Sequence, residues 1–287
     1  MFPATRFSGF SRLLTHVSSA LSLHPPVSWA ALLSVCVCMF MAGPVQAQNV
    51  LIVNDGTLDS DDRCDEQSDT DKTTIQGAVD AANTGDQVFV CPGTYPEEVT
   101  IDKRLDLAGN NRLIPGSPGS NDPSRNPESI VNADDGIGFD IITEKEVSIS
   151  GFLFVGDECI VRCGDCCGQE PITIRDNRFL NDERGVVLKN FTANDGFGND
   201  VNVRDNFIDL TQGTYTSNST EIGTVGIELR TIDGPGSVSL FRNNFEAENG
   251  SESAFYGIIF DGVKPDSRAT INKGTINGTA QAIAILD

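Results

Sequence analysis

The sequence predicts an all-β fold, a parallel β-helix in which the chain winds through successive coils of short strands. The first observation is a pattern of an aliphatic residue, two variable positions, Asn, Gly or Phe, a variable position and a large apolar residue. It occurs in Ile149–Phe154, Ile174–Phe179, Val203–Ile208, Leu240–Phe245 and Ile271–Ile276. Its spacings of 25, 29, 37 and 31 residues are too long for hairpins and fit one supersecondary unit per repeat.

The second observation is a further strand-like piece that belongs to each unit. These pieces are Gly136–Phe139, Gly185–Leu188, Gly226–Leu229, Gly257–Phe260 and Ala282–Ile285. Strands that recur at this period without intervening helices indicate a parallel β-helix, because each unit buries its apolar face only against its neighbours.

The first 47 residues have the organisation of a secretory signal peptide, with cleavage expected after Ala47. They contain Arg6 and Arg12, no acidic residue, and an apolar run from Trp29 to Met41. A retained membrane anchor is the alternative, but the run is shorter than the ~20 apolar residues that a spanning helix needs. Residues 48–287 are therefore predicted to form one elongated domain that is secreted, displayed at the cell surface or periplasmic.

Removal of the signal peptide narrows the chemistry that is available. Both histidines, His16 and His24, and the only tryptophan, Trp29, lie within it. Without these residues the mature chain cannot form a Ser-His-Asp or Cys-His catalytic site, a metal site with imidazole ligands, or a Trp platform on which a sugar stacks. The full chain has a formal charge of −21, and the signal peptide carries only bases. Such a surface repels phosphate backbones and anionic lipid, so neither nucleic acid nor a membrane is an expected partner.

Six cysteines remain after the signal peptide, which indicates up to three disulfides in an exported chain. Cys64 and Cys91 are expected to pair. The other four lie within nine positions, at Cys159, Cys163, Cys166 and Cys167. A four-thiolate metal site is the alternative for these four, but their spacing does not form two separated CxxC knuckles, and export favours oxidation.

Residues 55–71 form a predicted acidic loop with seven Asp and one Glu around Cys64. Oxygen ligands at this density could bind calcium, the one cofactor that the sequence leaves open. The candidate ligands are Asp59, Asp61, Asp62 and Asp65. Their spacing does not follow the usual calcium loop, so a solvated acidic loop is favoured.

A single helix is predicted over residues 73–83, after the acidic loop. Ile75, Ala78, Val79 and Ala82 share one face at helical spacing. We expect this helix to cap the N-terminal end of the β-helix, whose coils are predicted over residues 86–287, because an uncovered first coil exposes strand edges and core.

The run from Thr73 to Gly109 resembles the opening of the pectin lyase-like superfamily. It contains T-I-Q-G-A-V at Thr74–Val79, G-D-Q-V at Gly85–Val88, P-G-T-Y at Pro92–Tyr95 and L-A-G at Leu107–Gly109. The resemblance implies a right-handed parallel β-helix over nearly all of residues 49–287, as in bacterial secreted repeat proteins. It implies no single activity, because the same opening precedes esterases, lyases, epimerases and adhesins. The aspartate-bearing elements of pectinesterases are absent.

The repeats also predict how side chains stack. Strands such as Ile172–Arg175 alternate aliphatic and polar residues, which places the aliphatic ones inside. Asn177, Asn206 and Asn243 fall at one register, ~4.8 Å apart in successive coils, and are predicted to form an Asn ladder. An apolar stack runs beside it through Phe154, Phe179, Ile208, Phe245 and Ile276.

Weak catalytic candidates occupy a second shared register, two positions after the strand aliphatic. They are Asp176, Asp205, Arg242 and Lys273, which are expected to form an outward ladder of two acids and two bases. Acids beside bases suit a calcium-assisted lyase, and a structural charge ladder is the favoured alternative.

Loops of uneven length indicate where a ligand would bind. Gaps of 6, 18, 12 and 6 residues separate the apolar stack from the next strand, so variable loops leave one corner. Tyr215 and Tyr256 lie on or beside it and are candidate sugar-stacking residues.

The expected function is binding or display rather than catalysis, with an extracellular polysaccharide or an envelope protein as partner. A polysaccharide lyase or glycoside hydrolase on the same fold is the alternative. Only Leu286 and Asp287 follow the last strand-like piece, with no cap. This predicts end-to-end self-association, or continuation of the chain in a longer protein, and the second is favoured.

Overall fold

The computed structural model describes residues 48–56, 64, 72–116, 125, 127–134, 136–163, 170–189, 199–210, 216–217, 220–221, 224–230, 237–246, 256–261, 268–272, 275–277 and 281–286. The predicted signal peptide lies outside the described residues. Within them, no helix is both long and apolar enough to span a membrane.

The described residues form one short helix and 22 strands. The helix, α1, is Ile75–Ala81. The first eleven strands are β1 Val50–Val53, β2 Gln87–Val90, β3 Gly93–Tyr95, β4 Val99–Ile101, β5 Leu105–Gly109, β6 Ser129–Asn132, β7 Ile137–Ile141, β8 Val147–Ser150, β9 Phe152–Cys163, β10 Ile172–Arg175 and β11 Arg178–Lys189. The remaining strands are β12 Asn199–Arg204, β13 Phe207–Asp209, β14 Thr216–Ser217, β15 Thr220–Glu221, β16 Val225–Arg230, β17 Ser237–Phe241, β18 Asn244–Glu246, β19 Tyr256–Asp261, β20 Arg268–Asn272, β21 Thr275–Asn277 and β22 Gln281–Leu286.

Two curled parallel sheets contain nearly all of these strands. The first has eight strands in the order β1-β2-β5-β8-β10-β12-β17-β20, so its spatial order is the chain order. The second has twelve strands, and along the chain its strands alternate with those of the first. Each repeat supplies one strand to the first sheet and two short segments to the second. The two segments are continuous in β9 and β11. Only the short β14–β15 pair is antiparallel among the described strands.

The register predicted for the repeats is confirmed. Ile174 pairs with Ile149 and with Val203, and Phe179 pairs with Phe154 and with Ile208. The second segments also pair as predicted from Val186 onward, through Ile227 and Ile258 to Ile283. Earlier in the chain the pattern was incomplete. The unit that begins at Ile149 has its second segment in the last half of β9, where the sequence pattern showed none. In that segment Ile160 pairs with Phe139 on one side and with Val186 on the other. Ile137 lies out of this row, because it pairs with Glu158.

Aliphatic and aromatic side chains fill the space that the sheets enclose. The alternation predicted for β10 is observed, since Ile172 and Ile174 are buried and Thr173 and Arg175 are partly exposed. Phe154 and Phe179 stack with ring centroids 5.2 Å apart and planes 9° apart. The apolar stack is therefore confirmed as far as Phe245; the side chain of Ile276 lies outside the described ones.

The predicted Asn ladder is present. Asn177 Nδ2 donates to Asn206 Oδ1 at 3.2 Å, and Asn206 Nδ2 donates to Asn243 Oδ1 at 3.0 Å. Each Nδ2 also donates to a strand carbonyl in the preceding repeat: Ile149, Ile174 and Val203, respectively. The ladder satisfies buried backbone groups at a turn where the sheet hydrogen bonds are interrupted.

The helix is shorter than the sequence predicted, because Thr74 caps its N-terminus and Ala82 leaves helical geometry. Its predicted apolar face packs into the core formed with Val53 and Val88. The carboxylate of Glu97 accepts from the backbone N–H groups of Ile75 at 2.7 Å and Gln76 at 3.0 Å. These bonds satisfy donors that a helix N-terminus leaves unpaired.

The Cys64–Cys91 disulfide predicted from sequence is present. It packs with Phe89 and Ala108 in a small apolar cluster apart from the main core. The disulfide thereby holds Cys64 on the outward side of the eight-stranded sheet. At the other end of the sheets, β20 and β22 are the last strands of their orders. Association through their edges stays a prediction.

Candidate functional site

The outward side of the second segments carries a connected group of charged side chains on the twelve-stranded sheet. We use the name charged face for Asp140, Glu158, Arg184, Lys189, Glu228, Arg230 and Asp261. Their direction follows from strand alternation: Ile227 and Leu229 belong to the core, so Glu228 between them points outward. The same holds for Asp140 between Phe139 and Ile141.

Arg184 joins two carboxylates of this face. Its guanidinium forms ion pairs with Glu158 on one side and with Glu228 on the other, the second at 3.3 Å. Arg184 and Glu228 are buried, and Glu158 is largely buried. A buried charge requires a partner of opposite sign, so the guanidinium and the two glutamates hold one another in place.

The network continues toward solvent through Arg230. Its Nη2 lies 2.5 Å from Glu228 Oε1, and its Nε lies 3.9 Å from Asp261 Oδ2. The side chain of Asp261 is 41% exposed, against 3% for Glu228. The charged face therefore runs from a buried centre at Glu228 to an accessible edge at Asp261.

Asp140 lies in register with Val161, which is two strands from Glu228. Burial raises the pKa of this carboxyl, Lys189 partly opposes the shift, and Glu98 adds to it. Glu98 is exposed beside the strand. Carboxylates thus occur on both sides of the buried network.

Tyr256 adds an aromatic ring at the border of the charged face. It pairs in register with Val225, which itself pairs with Arg184. Tyr256 is partly exposed and packs on the buried pair Val225 and Ile259. The sequence placed Tyr256 at the corner from which the variable loops leave, and the structure places it next to the charged face. Tyr215 lies outside the described residues.

Gly226 explains how two strands pack closely at this corner. A Cβ atom there would lie 2.6 Å from the ring of Phe245 and 2.7 Å from the carbonyl oxygen of Gly257. The second contact is with backbone, which cannot move aside cheaply. A side chain at this position would therefore displace the segment that carries Glu228.

The predicted outward ladder of acids and bases is only partly formed. Asp176 and Asp205 are each 5% exposed, so these carboxylates are buried and do not point freely outward. Asp176, Asp205 and Arg242 adopt positive φ angles of 60°, 57° and 52° in the turns after β10, β12 and β17, respectively. Asp is one of the few residues that tolerate this conformation, which supplies a backbone reason for its recurrence.

Each of the two buried aspartates is paired with arginine. Arg175 lies 2.8 Å from Asp176, and Arg242 donates to both oxygens of Asp205 at 2.6 and 2.8 Å. Burial raises the pKa of Asp176, while Arg175 and the backbone N–H of Leu113 oppose that shift. Lys273 lies outside the described residues. A catalytic role for this group stays a prediction.

Most of the remaining candidate metal ligands lie outside the described residues. This applies to Asp59, Asp61, Asp62 and Asp65, to Cys166 and Cys167, and to the side chain of Cys163. Cys159 is buried, with its Sγ 3.8 Å from the carbonyl oxygen of Gly156. In the described part of the chain, no three His, Cys, Asp or Glu residues are grouped as a metal ion requires.

The sequence did not identify Glu158, Arg184, Glu228 or Arg230 as site residues. One signal was available: Glu228 interrupts an otherwise apolar segment, and Arg230 follows two positions later on the same side. The pairing of Arg184 with Glu158 could not be found in this way, because the strand that carries Glu158 did not fit the repeat.

Comparison with known proteins gives no further guidance, since the sequence matches no protein-family model and no curated protein sequence.

Proposed function

We propose that residues 48–287 form a right-handed parallel β-helix of the pectin lyase-like type, exported and functioning outside the cytoplasm. The alternation of the chain between two curled parallel sheets, the confirmed register and the Asn ladder support this fold. The disulfide Cys64–Cys91 supports export, because such bonds persist in oxidising compartments. The resemblance at Thr73–Gly109 supplies the handedness.

We further propose that the charged face binds an extracellular glycan. The observation that carries this proposal is the position of Tyr256 beside the network of Arg184, Glu228 and Arg230. Planar carboxylate and guanidinium groups match pairs of sugar hydroxyls, and a partly exposed aromatic ring packs on the apolar side of a pyranose.

A second function has a specific observation in its favour. Glu158 and Glu228 lie on opposite sides of one guanidinium, and paired carboxylates are the catalytic groups of glycoside hydrolases. Against this, both glutamates already pair with arginine. A lyase or hydrolase therefore remains the alternative, and binding without turnover is the function that we favour.

The test is depletion of purified protein 48–287 by insoluble or immobilised polysaccharides, with Tyr256→Ala and Arg230→Gln as variants. Arg242→Gln, on the other sheet, is the matched control. We expect the first two variants to lose most of the binding and the control to retain it. Equal binding by all four proteins would contradict the placement of the site. Reducing ends and unsaturated products, measured with and without calcium, distinguish an enzyme from a binding protein.

A further inference from the structure

We propose that the glycan bound at the charged face carries free amino groups, as glucosamine polymers do, and that polymers of uronic acids are excluded. This inference rests on the proposed function and names the chemical class of its ligand.

The first step is the balance of charge on the charged face. It contains four carboxylates, those of Asp140, Glu158, Glu228 and Asp261, and three bases. The exposed Glu98 adds a further carboxylate beside Asp140. The chain as a whole has a formal charge of −21, so its long-range field has the same sign.

The second step is that the bases of this face already have acidic neighbours. Arg184 pairs with Glu158 and Glu228, and Arg230 pairs with Glu228. Lys189 lies close enough to Asp140 to counteract the rise in the pKa of this carboxyl that burial causes. A uronate would have to compete with these carboxylates for each cation, and it would meet their repulsion as well.

The third step is that the surplus carboxylates lie where a ligand reaches them. The side chain of Asp261 is 41% exposed, and its carboxylate lies 3.9 Å from the Nε of Arg230. Asp140 is partly exposed, and Glu98 is exposed. An ammonium group beside these carboxylates gains charge-assisted hydrogen bonds, and at Asp261 it competes with an ion pair that is long, at 3.9 Å.

Three arginines are grouped on the other side of the fold, and each of them is paired with Asp176 or Asp205. Arg175 and Arg204 pair in register in the eight-stranded sheet, and Arg242 follows in the next turn. A uronate would therefore meet competing carboxylates at these arginines too, whereas the aromatic ring of Tyr256 lies beside the charged face.

The experiment compares three hexasaccharides by calorimetric titration: hexaglucosamine, hexa-N-acetylglucosamine and hexagalacturonate. We expect hexaglucosamine to bind about tenfold more tightly than its N-acetylated form, and hexagalacturonate to bind most weakly. The variant Asp140→Asn/Asp261→Asn should lose this preference. The variant Asp80→Asn/Asp106→Asn makes the same change in net charge away from the charged face and should retain it.

Three outcomes would overturn the inference. Hexagalacturonate could bind as tightly as hexaglucosamine, or the two double variants could weaken hexaglucosamine binding equally, which would reveal unspecific attraction to an acidic protein. N-acetylation could also leave the affinity unchanged while Tyr256→Ala still abolishes binding; the proposed function would then survive and only the ligand class would be wrong. If no hexasaccharide binds and the polysaccharide depletion also fails, the proposed function falls, and the inference falls with it.

Discussion

The side-chain amide of Gln76 pairs with the backbone of Thr100 as a neighbouring strand would. Its Oε1 accepts from the Thr100 N–H at 2.7 Å, and its Nε2 donates to the Thr100 carbonyl at 3.3 Å. Thr100 is the central residue of β4, which pairs only with β7 among the described strands. The helix therefore blocks a strand edge as well as covering the core, and an edge blocked in this way cannot template pairing with another chain.

The first prediction concerns this edge. Gln76→Met keeps the length and helix propensity of the side chain and removes both hydrogen bonds, so we expect a loss of about 0.5–1.5 kcal/mol in the free energy of unfolding. Urea unfolding measures it. Gln48→Met makes the same change at an exposed position before β1, is the control and should not destabilise. A loss no larger than that of the control would show that the edge needs no block.

The second prediction concerns the Asn ladder. Asn206→Ala removes an acceptor for Asn177 and a donor to Ile174 and Asn243, all of which are buried. Leaving such groups unpaired costs about 1–3 kcal/mol. Asn202→Ala changes the same residue type on the outward side of β12, the strand before the turn that carries Asn206, and should be nearly neutral. Thermal unfolding of both variants decides the point, and equal melting temperatures would contradict it.

The third prediction concerns the apolar stack. Phe179 is fully buried against Phe154, so Phe179→Ala leaves a cavity and should cost about 3–5 kcal/mol. Phe241→Ala, on the outward side of the eight-stranded sheet, should cost much less. The comparison uses chemical denaturation. Similar losses for the two variants would place Phe179 outside the core.

The fourth prediction concerns pH. Because burial raises the pKa of Asp176 in the folded state, its contribution to stability is full below the unfolded pKa of about 3.9 and is lost as pH rises through the folded value. Asn tolerates the positive φ at this position. Asp176→Asn should therefore gain stability relative to the wild type as the pH rises from about 4 to 7.

Asp86 provides a comparison of opposite sign. Burial alone would raise its pKa, but hydrogen bonds from Asn83 and Asn49 outweigh burial and lower it. The contribution of Asp86 to the free energy of unfolding is therefore present above the unfolded pKa and is lost as the pH falls through the folded pKa. Asp86→Asn should therefore lose stability relative to the wild type as the pH rises from about 2 to about 5, and the difference should stay constant above that range. Stability curves that run parallel to the wild type for both variants would refute the assignment.

The fifth prediction concerns the disulfide. Cys64 and Cys91 are 27 residues apart, and closing a loop of that length stabilises a fold by about 3–4 kcal/mol in the chain-entropy model. The double variant Cys64→Ala/Cys91→Ala leaves the other cysteines unchanged and should lose that amount in urea unfolding. A loss below about 1 kcal/mol would mean that the acidic loop is held by other contacts.

The repeat itself was predictable because its physical cause is local. Alternation of aliphatic and polar residues sets which side of a strand is buried, and equal register brings Asn177, Asn206 and Asn243 together. The pairing of Cys64 with Cys91 and the apolar face of the helix also followed from short-range patterns.

The site depended on tertiary structure. Ion pairs such as Arg184 with Glu228 join residues that are 44 positions apart, and no periodic signal marks them. The two aspartates proposed from their shared register proved to be buried turn residues, because a sequence register shows that residues align but not whether solvent reaches them. The sequence by itself therefore determined the parallel sheets, the core and the ladder, since these follow from repetition. Only the tertiary structure decided which charges meet, because the sheets bring together single residues that the repeat does not specify.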